Sequence, residues 1–170
     1  TSYANLKLLS GFPPPLNYSL YDKDTEGPLG LETYKDFDKG LAEAKATGKP
    51  ILIDFTGMAC VNCRKMEEQV WSEPQILKTL KNDVVLISLY VDKRTELPKD
   101  EQFNYEKPNG QIKEIKTIGD KWATFQTVNF RNNSQPYYVM LDSNLKLLNK
   151  PIAYEPDADE FLRWLESGVE

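Results

Sequence analysis

The feature that most constrains this chain is a Cys-x-x-Cys motif formed by Cys60 and Cys63, the only two cysteines it contains. The motif follows an apolar segment at residues 50–55, which predicts a strand, and precedes a segment with helical periodicity. A helix N-terminus carries about half a positive charge and free N–H groups, which together stabilise a thiolate. A strand that delivers two cysteines to the first turn of a helix is therefore typical of a reactive dithiol.

Two other interpretations of the motif remain open. Half of a zinc site needs two further Cys or His ligands, and the chain has no third cysteine and no histidine. An inert structural disulfide restrains the unfolded chain little at this spacing, because it closes a very small loop. We favour a redox dithiol in which the exposed Cys60 is the nucleophile and the shielded Cys63, one turn further on, is the resolving thiol.

The composition excludes several classes of function. Without histidine, the chain has no Ser-His-Asp triad, no histidine general base and no histidine-ligated metal. The net charge of −5, with acidic and basic residues interspersed, does not favour nucleic-acid binding. No segment approaches the roughly 18 apolar residues of a membrane span. We expect the chemistry to need no metal and no organic cofactor. The length suits one domain with one core, which we expect to be monomeric in isolation.

The first half of the chain alternates between helical and strand patterns. Its predicted elements are a helix capped by Thr33 and ended by Gly48, a buried strand at 51–56, a helix from Cys60 with Val61 on its buried side, a shorter helix from Pro74, and a buried strand at 84–91.

The second half begins with a polar, lysine-rich insertion at residues 92–117, in which Asn109-Gly110 between alternating segments predicts a β-hairpin. A helix opened by Asp120, a strand at 136–141 paired with one at 145–148, and a closing helix capped by Asp157 are predicted to follow. A βαβ half followed by antiparallel strands predicts an α/β domain with a mixed central sheet flanked by helices. This is the architecture of the thioredoxin fold.

The chain is predicted to have two parts, an extended N-terminal tether at residues 1–31 and a thioredoxin-like domain at residues 32–170. Three prolines after Phe12 favour a polyproline-like path, and Gly27-Pro28 marks a turn. Because the chain begins at Thr1 rather than at a methionine, we expect a piece of a longer protein, whose compartment no targeting signal reveals.

Two acidic residues flank the motif, Asp54 within the apolar strand and Glu67 four residues after Cys63 on the same helix face. A buried Asp54 carboxylate near the dithiol disfavours the thiolate by like-charge repulsion and can relay protons during exchange. The alternatives are a strand-end residue bonded to backbone for Asp54 and a solvated helix acid for Glu67. The functional interpretation predicts that both raise the pKa of Cys60 against the helix dipole.

Pro136 begins the third predicted strand, directly after Gln135. A proline at a strand start needs no special explanation, and only about 5–6% of X–Pro bonds in folded proteins are cis. Thioredoxin folds place a cis-proline beside the dithiol, however, and we therefore expect a cis bond between Gln135 and Pro136. The backbone of Gln135 is then expected to pair with an extended segment of a partner protein, a form of strand addition.

Residues 49–75 and 134–142 carry a resemblance to a known family. The segments KPILIDFTGMACVNCRKME and VWSEP resemble the C-terminal domain of the thiol:disulfide interchange protein DsbD. The resemblance extends over about residues 32–166, and residues 6–14 are similar to the tether that follows the last membrane helix of this family.

The resemblance implies a thioredoxin-fold domain at the periplasmic face of the bacterial inner membrane. The transmembrane domain of the same protein is then the electron donor. An N-terminal periplasmic domain or other periplasmic thioredoxin-like proteins are the acceptors, which serve disulfide isomerisation and cytochrome c maturation. The family's cysteine pair corresponds to Cys60 and Cys63, its two acidic modulators to Asp54 and Glu67, and its cis-proline to Pro136.

Two features depart from the family pattern. Ala59 stands where many members have a tryptophan, and the insertion at 92–117 is longer than in the best-known members. Both bear on the choice of partner more than on the chemistry. The leading prediction is a protein-disulfide reductase that relays electrons. The alternatives are a free-standing thioredoxin-like reductase or isomerase, and a redox-inert binding module that uses the insertion as an interface.

Overall fold

A computed structural model describes residues 25–169, so most of the predicted tether lies outside the described residues. Within this range the chain forms five α-helices and five β-strands. The helices are α1 (Phe37–Thr47), α2 (Val61–Gln69), α3 (Pro74–Asn82), α4 (Ile118–Phe130) and α5 (Ala158–Val169). The strands are β1 (Ile51–Thr56), β2 (Val85–Tyr90), β3 (Phe103–Glu106), β4 (Ile112–Ile115) and β5 (Tyr137–Leu141). No helix among these is long and apolar enough to cross a membrane.

The central sheet has the order β2-β1-β5 and is mixed, as the sequence predicts. β1 and β2 are parallel, with Ile51 opposite Val85, and β1 and β5 are antiparallel, with Ile51 opposite Leu141. β1 is therefore bonded on both sides, which is why its run of apolar residues is buried along its whole length.

Single bridges extend both edges of this sheet. Tyr34 bridges Ile87 of β2 in parallel, and Leu147 bridges Leu141 of β5 in antiparallel orientation. The strand predicted at 145–148 is therefore reduced to an isolated bridge. Asp142 Oδ1 accepts the backbone N–H groups of Asn144 and Lys146, at 2.8 and 2.9 Å, and so holds the turn that precedes this bridge.

The sheet separates two layers of helices, one on each face. The α1–α4 face carries the side chains of Ile51, Ile53 and Phe55, and the α2–α5 face carries Leu52, Met66 and Phe161 among others, with α3 packed beside α5. Alternate residues of a strand point to opposite faces, so β1 contributes to both cores.

The first helix begins later than its predicted cap. Asp36 caps α1, because its Oδ2 accepts the N–H of Lys39 at 3.1 Å. The prediction that Thr33 caps this helix is wrong, because Tyr34 next to it is held in an extended edge position by bonds to Leu86 O and Ser88 N. The predicted end is confirmed, since Gly48 closes α1 with φ of 75° in the left-handed region.

The fourth helix begins at Ile118, two residues before the predicted start. Thr117 Oγ1 accepts the N–H of Asp120 at 3.0 Å, and Asp120 Oδ2 accepts the N–H of Thr117 at 3.1 Å. This reciprocal pair is a capping box. The prediction that Asp120 opens the helix is therefore wrong, because Asp120 is the third helical residue and Thr117 is the cap.

The predicted hairpin within the insertion is confirmed. β3 and β4 pair antiparallel from Phe103 and Ile115 to Glu106 and Ile112, and the turn contains Gly110 with φ of 86°. The insertion leaves the sheet at the C-terminal end of β2. Because β1 and β2 are parallel, their C-terminal ends share an edge, so the insertion starts at the edge where the Cys-x-x-Cys motif follows β1.

Candidate functional site

Cys60 and Cys63 form a disulfide at the N-terminus of α2, with their Cα atoms 5.3 Å apart. Cys60 is the N-cap residue, and its Sγ accepts the backbone N–H of Cys63 at 3.2 Å. Cys60 is partly exposed, whereas Cys63 is only 2% exposed. The accessible sulfur therefore belongs to Cys60, and the N–H groups of the first helical turn are placed to stabilise a negative charge on it.

Asp92, in the turn after β2, holds the segment between β1 and α2. Its Oδ1 accepts the N–H of Met58 at 2.8 Å, and its Oδ2 accepts the N–H of Ala59 at 3.1 Å. Gly57 permits this close approach, since a Cβ atom there would lie 3.1 Å from Asp92 Oδ2. The carboxylate thus fixes the path of the chain into Cys60.

Arg64 connects the first turn of α2 to the end of β1. Its Nη2 donates to Thr56 Oγ1 at 3.0 Å and to Gly57 O at 3.2 Å, and it forms a salt bridge with Glu67 Oε1 at 3.1 Å. The buried Nε of Arg64 has no hydrogen-bond partner within residues 25–169. The guanidinium therefore brings a positive charge to Glu67 and close enough to Asp54 to lower its pKa.

Asp54 lies in the middle of β1, between Ser88 of β2 and Tyr138 of β5. It is only 2% exposed, and its Oδ1 has no hydrogen-bond partner in the described part of the chain. Burial raises the pKa of Asp54 to about 8, with a further increase from Glu67 and opposing contributions from Arg64 and a Ser88 hydrogen bond. The carboxyl therefore holds its proton at neutral pH and exchanges it near pH 8.

Glu67 lies one turn beyond Cys63 on α2, and its side chain is 12% exposed. Burial raises the pKa of Glu67, its salt-bridge partner Arg64 lowers it, and the neighbouring Glu68 raises it. Since Glu67 also raises the pKa of Asp54, the structure brings the two predicted acidic residues into electrostatic contact. Their effect on the pKa of Cys60 stays a prediction.

The peptide bond between Gln135 and Pro136 is cis, the isomer that the family resemblance implies. β5 begins at Tyr137, which lies opposite Phe55 near the end of β1. This register brings Pro136 to the edge of the sheet where the motif begins. Pro136 is buried and Gln135 is partly exposed, and the pairing of the Gln135 backbone with a substrate stays a prediction.

Exposed apolar side chains flank the accessible cysteine. Val61 is 66% exposed and Met58 is 64% exposed. The prediction that Val61 lies on the buried side of α2 is wrong. Cys63 and Met66 form that side, three residues apart, and a residue two positions before Cys63 does not share its face of a helix.

Sequence reasoning missed two residues that shape the site, Arg64 and Asp92. The signal for Arg64 is its position three residues before Glu67, a spacing at which opposite charges meet on a helix. The signal for Asp92 is its position just beyond β2, since the C-terminal ends of parallel strands share one edge of the sheet.

The arrangement provides an accessible sulfur, a shielded sulfur bonded to it, and a buried carboxyl that titrates near pH 8. These groups suffice for two-electron exchange coupled to proton transfer. Within residues 25–169, no group of three or more His, Cys, Asp or Glu side chains is arranged to hold a metal ion.

Comparison with a curated protein supports the resemblance at the level of the domain. The chain is 40% identical over 55 residues to the thiol:disulfide interchange protein DsbD 2 of Pseudomonas aeruginosa. The matched segment covers 32% of this chain and 9% of that protein, so the chain spans about a tenth of the relative's length.

Two solved structures show the same fold. A thioredoxin from Thermus thermophilus has 21% sequence identity and a TM-score of 0.55, with 80% of this chain and 85% of that chain covered. The C-terminal domain of DsbD from Neisseria meningitidis, in its oxidised form, has 14% identity and a TM-score of 0.51, with 80% and 98% covered. The thioredoxin fold predicted from the sequence is confirmed.

A family model described as thioredoxin-like matches residues 32–143, about two thirds of the chain. Together with the Cys60–Cys63 disulfide at a helix N-terminus, this match makes the protein a thioredoxin-like oxidoreductase, and the predicted likeness to the DsbD C-terminal domain is confirmed. The chain belongs to the thioredoxin-like family.

Proposed function

We propose that this domain is a protein-disulfide reductase that relays electrons from a membrane partner domain to periplasmic protein disulfides through Cys60 and Cys63. The observation that carries the proposal is the disulfide at the N-terminus of α2, with one accessible and one shielded sulfur. The buried Asp54 in the strand that leads to it supplies a proton-exchanging group. The resemblance to DsbD supports the direction of electron flow.

The reaction begins with the reduced dithiol. The thiolate of Cys60 attacks one sulfur of the partner's disulfide, which forms a mixed disulfide and releases the partner's other sulfur as a thiolate. The thiolate of Cys63 then attacks Cys60 Sγ, which re-forms the Cys60–Cys63 disulfide and releases the partner's second thiolate. Two electrons pass to the partner, and a dithiol donor restores the reduced state by the same exchange in reverse.

The acidic residues are proposed to control the protons of this exchange. Asp54, with a pKa of about 8, is close enough to neutrality for both its protonated and ionised forms to take part. Its ionised form accepts the proton of the resolving thiol. A permanent thiolate at Cys60 is disfavoured by the negative charge of Glu67 and, in molecules in which Asp54 is ionised, by that of Asp54 as well. A dithiol that stays protonated until a partner docks avoids exchange with unrelated disulfides.

The family resemblance supports a setting for this chemistry. The domain is proposed to lie at the periplasmic face of the bacterial inner membrane, as part of a larger membrane protein whose transmembrane domain is the electron donor. The proposed acceptors are an N-terminal periplasmic domain or other periplasmic thioredoxin-like proteins. The segment at residues 1–31 is proposed to be the tether to the membrane.

Trapping of mixed disulfides tests the roles of the two sulfurs. Cys63→Ser is expected to accumulate a mixed disulfide with an oxidised protein substrate, because the resolving thiol is absent, and Cys60→Ser is expected to form none. The measurement is non-reducing electrophoresis after acid quenching, with the Cys60→Ser/Cys63→Ser double variant as control. Equal trapping by both single variants contradicts the assignment.

The reduction potential of the Cys60–Cys63 pair tests the direction of electron flow. Equilibration against a dithiothreitol buffer, followed by alkylation of free thiols, gives this value directly. A potential near the roughly −270 mV of thioredoxins, or slightly higher, fits a domain that donates electrons. A potential near the roughly −120 mV of a strong oxidant overturns the relay and indicates disulfide formation instead.

A further inference from the structure

A buried amide of α4 organises the loop that precedes Pro136. Gln126 is 0% exposed, and its Nε2 donates to Asn132 Oδ1 at 3.0 Å and to Ser134 O at 2.9 Å. Its Oε1 accepts the side-chain Nε2 of Gln135 at 2.9 Å. One side chain, deep in the domain, therefore contacts three residues of a four-residue loop.

The loop adds further bonds to this network. Asn132 Oδ1 also accepts the backbone N–H and the hydroxyl of Ser134, at 2.8 and 2.9 Å. Gln135 Nε2 also donates to Asn133 O at 3.1 Å. Both amide N–H groups and the carbonyl of Gln126 are used, so the loop has one arrangement in which every buried polar group of this side chain is satisfied.

The backbone of Gln135, in the same loop, makes no hydrogen bond to the described part of the chain. Neither the N–H nor the C=O of Gln135 has a hydrogen-bond partner within residues 25–169, although its side chain is held at two points. Pro136 has no N–H to offer, and β5 starts only at Tyr137. The backbone of Gln135 is thus the free edge at which an extended segment of another protein can add as a strand.

We infer that Gln126 is a positioning residue for protein substrates, because it holds loop 132–135 in the geometry that presents the free Gln135 backbone beside the dithiol. The inference rests on the proposed function, in which a protein disulfide is the substrate. It assigns Gln126 no contact with the reacting sulfur atoms. Its effect is therefore confined to substrates that have a peptide backbone to pair with Gln135.

Gln126→Met tests this role, since methionine keeps the length and volume of the side chain and removes all three polar contacts. The probes are insulin, as a protein disulfide, and hydroxyethyl disulfide, which has no peptide backbone, both with dithiothreitol as electron donor. We expect the KM for insulin to rise about three- to tenfold, the worth of about one net hydrogen bond, with kcat unchanged. We expect the rate with hydroxyethyl disulfide to stay at the wild-type value.

A matched control separates positioning from stability. Asn149 is also an amide that joins two elements, since its Nδ2 donates to Trp164 O of α5 at 2.8 Å and approaches Met140 Sδ, near the end of β5 farthest from the motif. Asn149→Ala is expected to lower the melting temperature without changing the KM for insulin. If Asn149→Ala keeps the wild-type KM for insulin while Gln126→Met raises it, loss of stability alone does not change this KM.

Gln135→Ala provides a second variant, at a residue that is itself partly exposed. It removes the side chain that Gln126 holds and keeps the backbone, so the KM for insulin is expected to rise in the same direction by a smaller factor. The double variant is expected to show less than the product of the two single effects, because both act through one contact.

The outcomes are distinguishable. An unchanged KM for insulin in Gln126→Met, or an equal loss with both disulfides, overturns the positioning role while the proposed function stands. A wild-type protein that reduces hydroxyethyl disulfide but not insulin overturns the proposed function, and the inference falls with it. Multiplicative effects in the double variant show that the two glutamines act independently and also contradict the inference.

Discussion

The two faces of β1 differ in what they bury. Toward the α1–α4 face the strand presents Ile51, Ile53 and Phe55, all in contact with apolar side chains. Toward the α2–α5 face it presents Leu52 and then Asp54, the only buried acidic or basic residue within residues 25–169. Strand alternation makes this division possible, because one strand can serve a conventional core and a reactive site at the same time.

The α1–α4 face stabilises the fold, whereas Asp54 on the α2–α5 face destabilises it. Aromatic rings pack closely on the α1–α4 face, where Phe125 lies 5.3 Å from Phe37 and 6.1 Å from Phe55 between ring centroids. On the other face, the Asp54 carboxyl has an unpaired oxygen and loses hydration on folding, which is unfavourable. Burial of Asp54 therefore lowers the stability of the fold, which fits a role for its proton in disulfide exchange.

Removal of an aromatic ring from the α1–α4 face has the largest expected effect. Phe125 is 1% exposed, so Phe125→Ala leaves a cavity and is expected to lower the free energy of unfolding by about 3–5 kcal/mol. Urea denaturation measures the change. The exchange rate of the folded variant is expected to stay near that of the wild type, and a selective loss of exchange without loss of stability contradicts the division between the faces.

Removal of the Asp54 carboxyl from the α2–α5 face is expected to raise the free energy of unfolding, where loss of the Phe125 ring lowers it. The folded-state pKa of Asp54, about 8, lies above its ordinary value of 3.8, so the folded protein binds more protons than the unfolded chain between these pH values. Stability therefore falls as pH rises from about 4 to 8. Asp54→Asn is expected to remove this decline and to be more stable than the wild type at pH 9 by several kcal/mol, since each pKa unit corresponds to about 1.4 kcal/mol.

Urea denaturation across this pH range measures the effect. Asp83→Asn, which removes an exposed carboxylate just beyond α3, changes the net charge equally and serves as control. Parallel stability curves for wild type and Asp54→Asn from pH 4 to 9 rule out a strongly perturbed Asp54.

Removal of the charge of Glu67 is expected to have a smaller effect on stability than removal of the Asp54 carboxyl. Glu67→Gln removes a negative charge that raises the pKa of Asp54 and frees Arg64, which lowers it, so both consequences lower the pKa of Asp54. We expect a change in stability below the roughly 1.4 kcal/mol that corresponds to one pKa unit. Carbon-detected NMR titration of the Asp54 carboxyl gives the direction, with Glu68→Gln as control. A raised pKa of Asp54 contradicts the proposed electrostatic contact.

Local patterns predicted much of this fold correctly. The apolar run of β1, the left-handed Gly48 after α1, the Asn109-Gly110 hairpin and the restart of a helix at Pro74 each follow from the conformational preferences of a few adjacent residues. The position of the Cys-x-x-Cys motif at a strand-to-helix junction is also predicted correctly, because the preceding strand and the helical periodicity are both local signals.

The errors arise where distant contacts override local preference. Thr33 is a good cap residue, but the next residue, Tyr34, is bonded to β2 and keeps the chain extended. Val61 is apolar, which predicts a buried position, but the helix turns it outward because Cys63 and Met66 face the sheet. In both cases the partner that decides the outcome lies elsewhere in the fold.

Local sequence patterns predict that a dithiol lies at the start of a helix in an α/β domain, because strand, helix and turn preferences are properties of neighbouring residues. The groups that surround the dithiol follow from contacts between distant parts of the chain. Asp92, in the turn after β2, bonds to Met58, which lies 34 residues away in the sequence, and Gln126 organises the loop before Pro136 from the buried side of α4. Hydrogen bonds and electrostatic interactions depend on distance in space, and residue order does not specify that distance until the sheet has brought its strands together.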